Sequence, residues 1–251
     1  MIPPAGATDS PEHGMKPYTP PRLPHAFIQA AGVFDADEAL RCFAAGVDVV
    51  GIPLRLNHHR PDLSEAAAAA LVATVRARNP RLAFAVITYE DDACAAAGLC
   101  RAVGAQALQL HGDIAAEAGL RLRTLLPDVL LMKSLIVGLR DEAGLHDEMQ
   151  RHAPWADAFL TDTFDPTSGA MGATGQIHDW TVSRRLVQQS PRPVILAGGL
   201  VPGNVAAAVA AVQPAGVDAH TGLEDAAGSK DWATLAAFAA RARLAFAGLA
   251  R

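Results

Sequence analysis

Past residue 24 the chain alternates between two periodicities: short continuous apolar runs, and longer Ala/Leu-rich stretches whose apolar positions recur at helical spacing. The runs Ala26–Ala30, Asp48–Ile52, Leu82–Ile87, Ala107–Leu110, Val129–Leu135, Ala156–Thr161, Val194–Ala197 and Gly216–Ala219 read as strands. Between and after them, Asp35–Ala45, Asp62–Arg78, Asp91–Val103, Asp113–Leu126, Asp141–His152, Asp179–Gln189, Pro202–Val212 and Lys230–Phe246 read as helices. Several open on Asp or Pro, residues favoured where the first backbone N–H groups lack partners. The strands are uniformly apolar, as expected when both faces of a parallel sheet are covered. Strict alternation of eight strands and eight helices over about 225 residues predicts a single closed (β/α)8 TIM barrel across residues 25–251. A doubly wound open sheet is the runner-up, but Gln29-Ala30-Ala31-Gly32 after the first strand is not a dinucleotide-binding turn. Residues 1–24, rich in Pro, Gly and small polar residues, read as a disordered or extended N-terminal arm.

Composition narrows the function. Hydrophobic residues make up 51% of 251, ample for a buried core. A net charge of −5 with scattered Lys and Arg argues against a nucleic-acid surface, and 5% aromatics against base stacking. No apolar run approaches the roughly 20 residues that span a bilayer, and residues 1–24 lack the apolar core of a secretory signal, so a cytoplasmic protein is expected. Three cysteines cannot pair evenly; Cys42, Cys94 and Cys100 are expected as buried packing residues on helices.

A barrel of this kind does its chemistry where strands end and helices begin. The residues there are unusually polar: Gln29, Arg55 with Asn57-His58-His59-Arg60, Thr88, His111, Lys133, Asp162, Gly198-Gly199, and Asp218 with His220. Two loops have the character of a phosphate cradle. Gly198-Gly199 lead into a helix expected near Pro202, and Asp218-Ala219-His220-Thr221-Gly222 follow the eighth strand. Glycines there bring backbone N–H groups close to an anion. A third glycine-bearing loop, Gly169 to Gly175 with Gly172 at its centre, reads as a flap over the same end.

At these residues the chain resembles the phosphoribosylanthranilate isomerase family of tryptophan biosynthesis. The resemblance runs from about Phe27 to Trp232, through Leu108-Gln109-Leu110-His111-Gly112, Leu160-Thr161-Asp162-Thr163, and Gly172-Ala173-Thr174-Gly175-Gln176 with Asp179-Trp180. It continues through Leu196-Ala197-Gly198-Gly199-Leu200 with Pro202 and Asn204-Val205, and Gly216-Val217-Asp218 with Gly222. It implies a barrel that performs an Amadori rearrangement on a phosphoribosyl amine without metal or organic cofactor. An acid opens the ribose ring and a base removes the C2 proton. Asp162 matches the family's acid. The base is a Cys in a Lys-Ile-Cys-Gly motif, where this chain has Gln29-Ala30-Ala31-Gly32, so Ala31 replaces the Cys and Gln29 the Lys. His220-Thr221 stands for a Ser-Ser pair. The segment from Pro53 to Arg60 departs from the usual Ser-Pro-Arg run, with Arg60 only approximately in register. Trp180 and Trp232 match positions that pack helices on the barrel.

Asp162 is therefore the expected acid, with His220 and His58 as replacement proton acceptors, since neutral imidazole titrates near working pH. Lys133, inside an apolar run, reads either as an ion-paired residue or as a Schiff-base amine or replacement base. Gln29, Arg55, Arg60, His111, Gly172, Gly198, Gly199, Asp218, Thr221 and Gly222 are the expected substrate and phosphate contacts. His58, His59, His111 and His220 with Asp162 or Asp218 contain metal-ligand chemistry, but no helical HxxxH or Cys/His spacing supports it, and no metal is expected. His146, His152 and His178 are expected at the surface. The leading function is an isomerase-like enzyme on a small phosphorylated sugar or sugar-amine, as monomer or homodimer. The alternatives are a lyase or aldolase working through Lys133, and a non-catalytic binder of a phosphorylated metabolite.

Overall fold

The computed structural model describes residues 23–56, 63–164 and 177–249. The N-terminal arm up to residue 22, the Asn57-His58-His59-Arg60 segment and the flap carrying Gly172 lie outside these residues. Eight parallel strands close into one barrel in chain order: β1 (Phe27–Ala31), β2 (Val49–Pro53), β3 (Ala83–Thr88), β4 (Ala107–Leu110), β5 (Leu130–Val137), β6 (Ala158–Thr163), β7 (Val194–Leu196) and β8 (Gly216–Ala219). Closure is made by β1 on β8, with Gln29 opposite Asp218. Between them run α1 (Ala36–Ala44), α2 (Glu65–Arg78), α3 (Ala93–Val103), α4 (Ala116–Leu125), α5 (Glu142–His152), α6 (Trp180–Gln189) and α7 (Val205–Val212), with α8 (Trp232–Leu249) last. All sixteen expected elements are present, with boundaries shifted by a few residues.

The Asp-led helix starts have a visible cause. Asp35, Asp92, Asp141 and Asp179 each accept a hydrogen bond from an N–H in the first turn, and Ser64 does the same for α2. Helix α7 begins at Val205, later than Pro202 predicts, because Asn204 ties up the preceding loop: its Oδ1 accepts from Val201 N at 2.8 Å and its Nδ2 donates to Gly199 O at 2.9 Å.

Strand side chains alternate between the barrel interior and the helices. Phe27, Val49, Ala85, Ala107, Leu130, Met132, Ala158, Leu160, Ile195 and Ala197 form an interior plug, separate from the larger cluster between sheet and helices. Stepping by two from the plug toward the carboxyl ends reaches Gln29 and Ala31, Gln109 and His111, Ser134, and Asp162. The apolar plug seals one end of the barrel, and the polar layer at the other end makes the floor of a site.

The same parity bears on the two readings of Lys133. Lys133 is out of step with Met132 and Ser134, so its side chain faces α5 rather than the interior. It is 2% exposed, and its Nζ donates to Glu148 Oε1 at 2.9 Å and to Ser134 O at 2.6 Å. Lys133 is paired with Glu148 against α5, the first of its two readings, and lies outside the cavity lining, which leaves a Lys133-dependent lyase unsupported. Other corrections have the same origin in packing. His152 is buried and accepts from Trp155 Nε1 at 3.1 Å, and burial first, then the charge of Lys133, holds its imidazole down at about 4. His146 is only partly covered, whereas Cys42 and Cys100 are buried as expected and Cys94 is exposed.

Candidate active site

At the carboxyl ends of β6, β7 and β8 a cavity is lined by Asp162, Ala197, Gly198, Gly199, Leu200, Asp218, Ala219, His220, Thr221 and Gly222. The two expected cradle loops and the expected acid thus meet in one place. Glycine is required at the contacts. Gly198 (φ 93°) and Gly199 (φ 60°) adopt left-handed backbone conformations, and a Cβ at Gly198 would collide with Thr163 Oγ1. A Cβ at Gly222 would collide with the carbonyl of Leu200, so the two loops touch backbone to side-chain-free backbone. Thr221 to Leu223 form a single 3-10 turn above the end of β8.

His111 lies beside Asp162, with Nε2 3.9 Å from Oδ2 and 6% exposed, and Tyr89 packs edge-on against the imidazole, ring centroids 5.0 Å apart. Burial and then the charge of Asp162 push the Tyr89 hydroxyl up to about 12, so it remains a phenol. Tyr89 was missed because it sits one residue beyond Thr88, in a loop with no glycine or motif to draw notice. His178, expected at the surface, is half-buried under the same end. Its Nδ1 meets Thr163 Oγ1 at 2.9 Å and its Nε2 meets Ser183 Oγ at 2.6 Å, and burial lowers its pKa to about 4. It braces Thr163 against Gly198.

Gln29 is buried and donates from Nε2 to Gln109 Oε1 at 2.8 Å, and Gln109 donates onward to Ser134 Oγ at 3.2 Å. This string of amides leaves Gln29 Oε1 buried without a donor, and Asp218 Oδ1 is likewise buried without a partner. Burial first, and then the charge of Asp162, push the Asp218 carboxyl up to about 7, against the opposing pull of Gln29 and Lys230.

A stability profile follows from this shift. Between about pH 4 and 7 the folded Asp218 keeps its proton while the unfolded one loses it, so stability falls as pH rises through that window, by up to roughly 3–4 kcal/mol. In Asp218→Asn this loss is absent, because the amide does not titrate. Urea unfolding at pH 5 and pH 8 should show the gap between the two pH values shrink by about 2 kcal/mol or more in the variant. An unchanged gap refutes the protonated Asp218.

Arg55 is drawn away from the cavity. Held at φ 51°, it clamps Glu65 through Nε at 2.8 Å and Nη2 at 3.2 Å, and meets Glu90 through Nη1 at 3.0 Å. Ala31 ends β1 facing the interior and is 3% exposed. His220 projects from the loop after β8 against Gly32, the next residue, where a Cβ would collide with its Nε2. Gly32 has φ 75°, so both backbone and space require glycine there. Among the described residues no group of three or more His, Cys, Asp or Glu is arranged to hold a metal ion, and no helix is long and apolar enough to cross a membrane.

A closed (β/α)8 barrel with its polar layer, carboxylates and glycine loops gathered at the carboxyl ends of the strands belongs to the class of barrel enzymes. Residues 59–241 match the profile of the N-(5'phosphoribosyl)anthranilate (PRA) isomerase family. An N-(5'-phosphoribosyl)anthranilate isomerase 2 from Methanosarcina mazei is 34% identical over 217 residues, covering 86% of this chain and 93% of the relative. An N-(5'-phosphoribosyl)anthranilate isomerase from Haloferax volcanii is 38% identical over 221 residues, 87% and 93% of the two chains. Among solved structures, phosphoribosyl anthranilate isomerase from Thermotoga maritima superimposes with a TM-score of 0.72 at 23% identity, over 87% of this chain and 98% of that one. The chain belongs to the phosphoribosylanthranilate isomerase family and is an isomerase-type enzyme. Strands β1 and β2, which carry Gln29, Ala31 and Arg55's approach, precede the matched stretch.

Proposed function

We propose that this chain isomerises N-(5'-phosphoribosyl)anthranilate, with Asp162 as proton donor to the ribose ring oxygen and the Gly198-Gly199 and Thr221-Gly222 loops as the phosphate cradle. The observation that carries the reading is the single cavity in which Asp162 faces both glycine loops. A related solved isomerase, 22% identical, holds reduced 1-(o-carboxyphenylamino)-1-deoxyribulose 5-phosphate, a phosphorylated ligand of the kind this cavity suits. Asp218 supports a donor here: a second carboxyl that keeps its proton to about 7 leaves the pair with a proton to give near neutrality. In the reaction, protonation of the ring oxygen opens the sugar to an iminium, and loss of the C2 proton yields the enol that becomes the aminoketone. Gln29, His111 and Asp218 lie among the groups expected to touch the sugar. His58, Arg60 and Gly172 remain candidates from the sequence pattern alone. The enzyme is proposed to act in the cytoplasm as a monomer or homodimer, without nucleic acid or a cofactor.

The test is direct. Purified protein given freshly made phosphoribosylanthranilate should deplete its fluorescence, and the gene should restore growth without tryptophan to a strain lacking this isomerase. No depletion and no rescue together overturn the reading.

A further inference from the structure

The reaction needs a proton acceptor, and the residue that ends β1 on the interior face is Ala31, whose methyl group cannot take a proton. One residue on, the chain turns away from the barrel at Gly32, and the space beside its Cα is filled by the imidazole of His220. That ring comes from the opposite end of the sequence, brought over by the β1–β8 closure. It lines the same cavity as Asp162, with a quarter of its side chain exposed.

The imidazole is held. His220 Nε2 lies 3.1 Å from Glu224 Oε1, and that oxygen also receives Lys230 Nζ at 2.8 Å. Lys230 in turn donates from Nζ to His220 O at 3.3 Å, and its backbone N donates to Glu38 Oε1 at 2.9 Å. Burial raises the Glu224 carboxyl, but the hydrogen bonds from His220 and Lys230 outweigh it and bring the group down to about 2, so it is an anion throughout the working range. An anion at Nε2 accepts the Nε2–H, which leaves Nδ1 as the basic nitrogen. The charged and titratable groups around this ring are Glu224 and Lys230 from its own loop, Glu38 behind Lys230, and Asp162 and Asp218 across the cavity.

We propose that His220 is the base of this enzyme, positioned by Glu224 and by the bare backbone of Gly32. The inference rests on the isomerase reading of the cavity. Asp162 gives its proton to the ring oxygen as the C1–O bond breaks. His220 Nδ1 then takes the C2 proton, and the electron pair of that C–H bond forms the C1–C2 double bond as the iminium nitrogen becomes neutral. The imidazolium shares its charge with Glu224 and returns its proton to solvent, from which Asp162 regains the proton it gave. Lys230 fixes Glu224 and touches no reacting atom.

Turnover of phosphoribosylanthranilate is measured for the wild type, His220→Asn, His220→Ala and Glu224→Gln. His220→Asn should lose about 10²–10⁴ in kcat with KM within a few fold. Free imidazole should restore part of the turnover of His220→Ala, a recovery that a purely structural role does not produce. Glu224→Gln should lose about tenfold or more in kcat and move the acidic limb of the kcat/KM profile to lower pH, because the imidazolium has lost its anion. Turnover of His220→Asn within threefold of wild type overturns this inference and leaves the isomerase reading standing. Absence of turnover in the wild type overturns both.

Discussion

Asp162→Asn should abolish most turnover while leaving binding nearly intact. The amide keeps the size and the polar contacts of the carboxyl but has no proton to donate to a departing ring oxygen, and positioned acid–base groups are worth about 10²–10⁴ in rate. The expected result is a kcat lower by that factor, with KM and the affinity for a product analogue within a few fold. The geometry argues for this separation. Asp162 continues the interior row of Ala158 and Leu160 on β6 and reaches the cavity floor, whereas the loops proposed to cradle phosphate follow β7 and β8. A non-catalytic binder predicts a different outcome, with no turnover to lose and unchanged affinity. A variant that loses binding in proportion to kcat shows instead that Asp162 shapes the cavity.

The largest stability effect should come from the opposite side of the sheet. In Glu148→Leu the ammonium of Lys133 stays buried between β5 and α5 with its counter-charge gone. Truncating one partner of a buried pair costs about 3–5 kcal/mol. Arg140, which lies 3.5 Å from the other Glu148 oxygen and is half-exposed, also loses a partner but can turn to water. Replacing Lys133 by Met in the same protein removes the stranded charge, and the double variant should recover most of the loss. Urea unfolding of the two single variants and the double provides the measurement. The double variant should also keep wild-type kcat, since Lys133 faces a helix. A Lys133→Met enzyme without activity but with a normal fold would restore the Schiff-base role.

These two residues show how legible the site was. Asp162 was expected at the site from its position after an apolar run and from the family motif, and it lines the cavity. Lys133, inside the apolar run of β5, shows the limit of such reading, because a place in a strand does not say which face a side chain takes. Alternation with Met132 and Ser134 contains that information, but it acquires meaning only once the plug identifies which parity is interior. Arg55 shows a second limit. Its place after β2 suggested substrate, but Glu65 and Glu90, 10 and 35 residues away, claim the guanidinium.

The sequence by itself determined the sixteen elements, their order and the closed barrel, because hydrophobic period, capping residues and glycine turns are local properties of neighbouring positions. It also marked the two glycine loops that meet at the cavity, Gly198-Gly199 through their left-handed backbone and Gly222 through its close approach to the Leu200 carbonyl. Only the tertiary structure decided which polar side chains share a cavity. Barrel closure sets β1 against β8, residues about 190 apart. That closure alone puts His220 into the space left by Gly32, brings Glu224 and Lys230 behind it, and sets Asp218 beside Gln29, where burial rather than residue type keeps its proton.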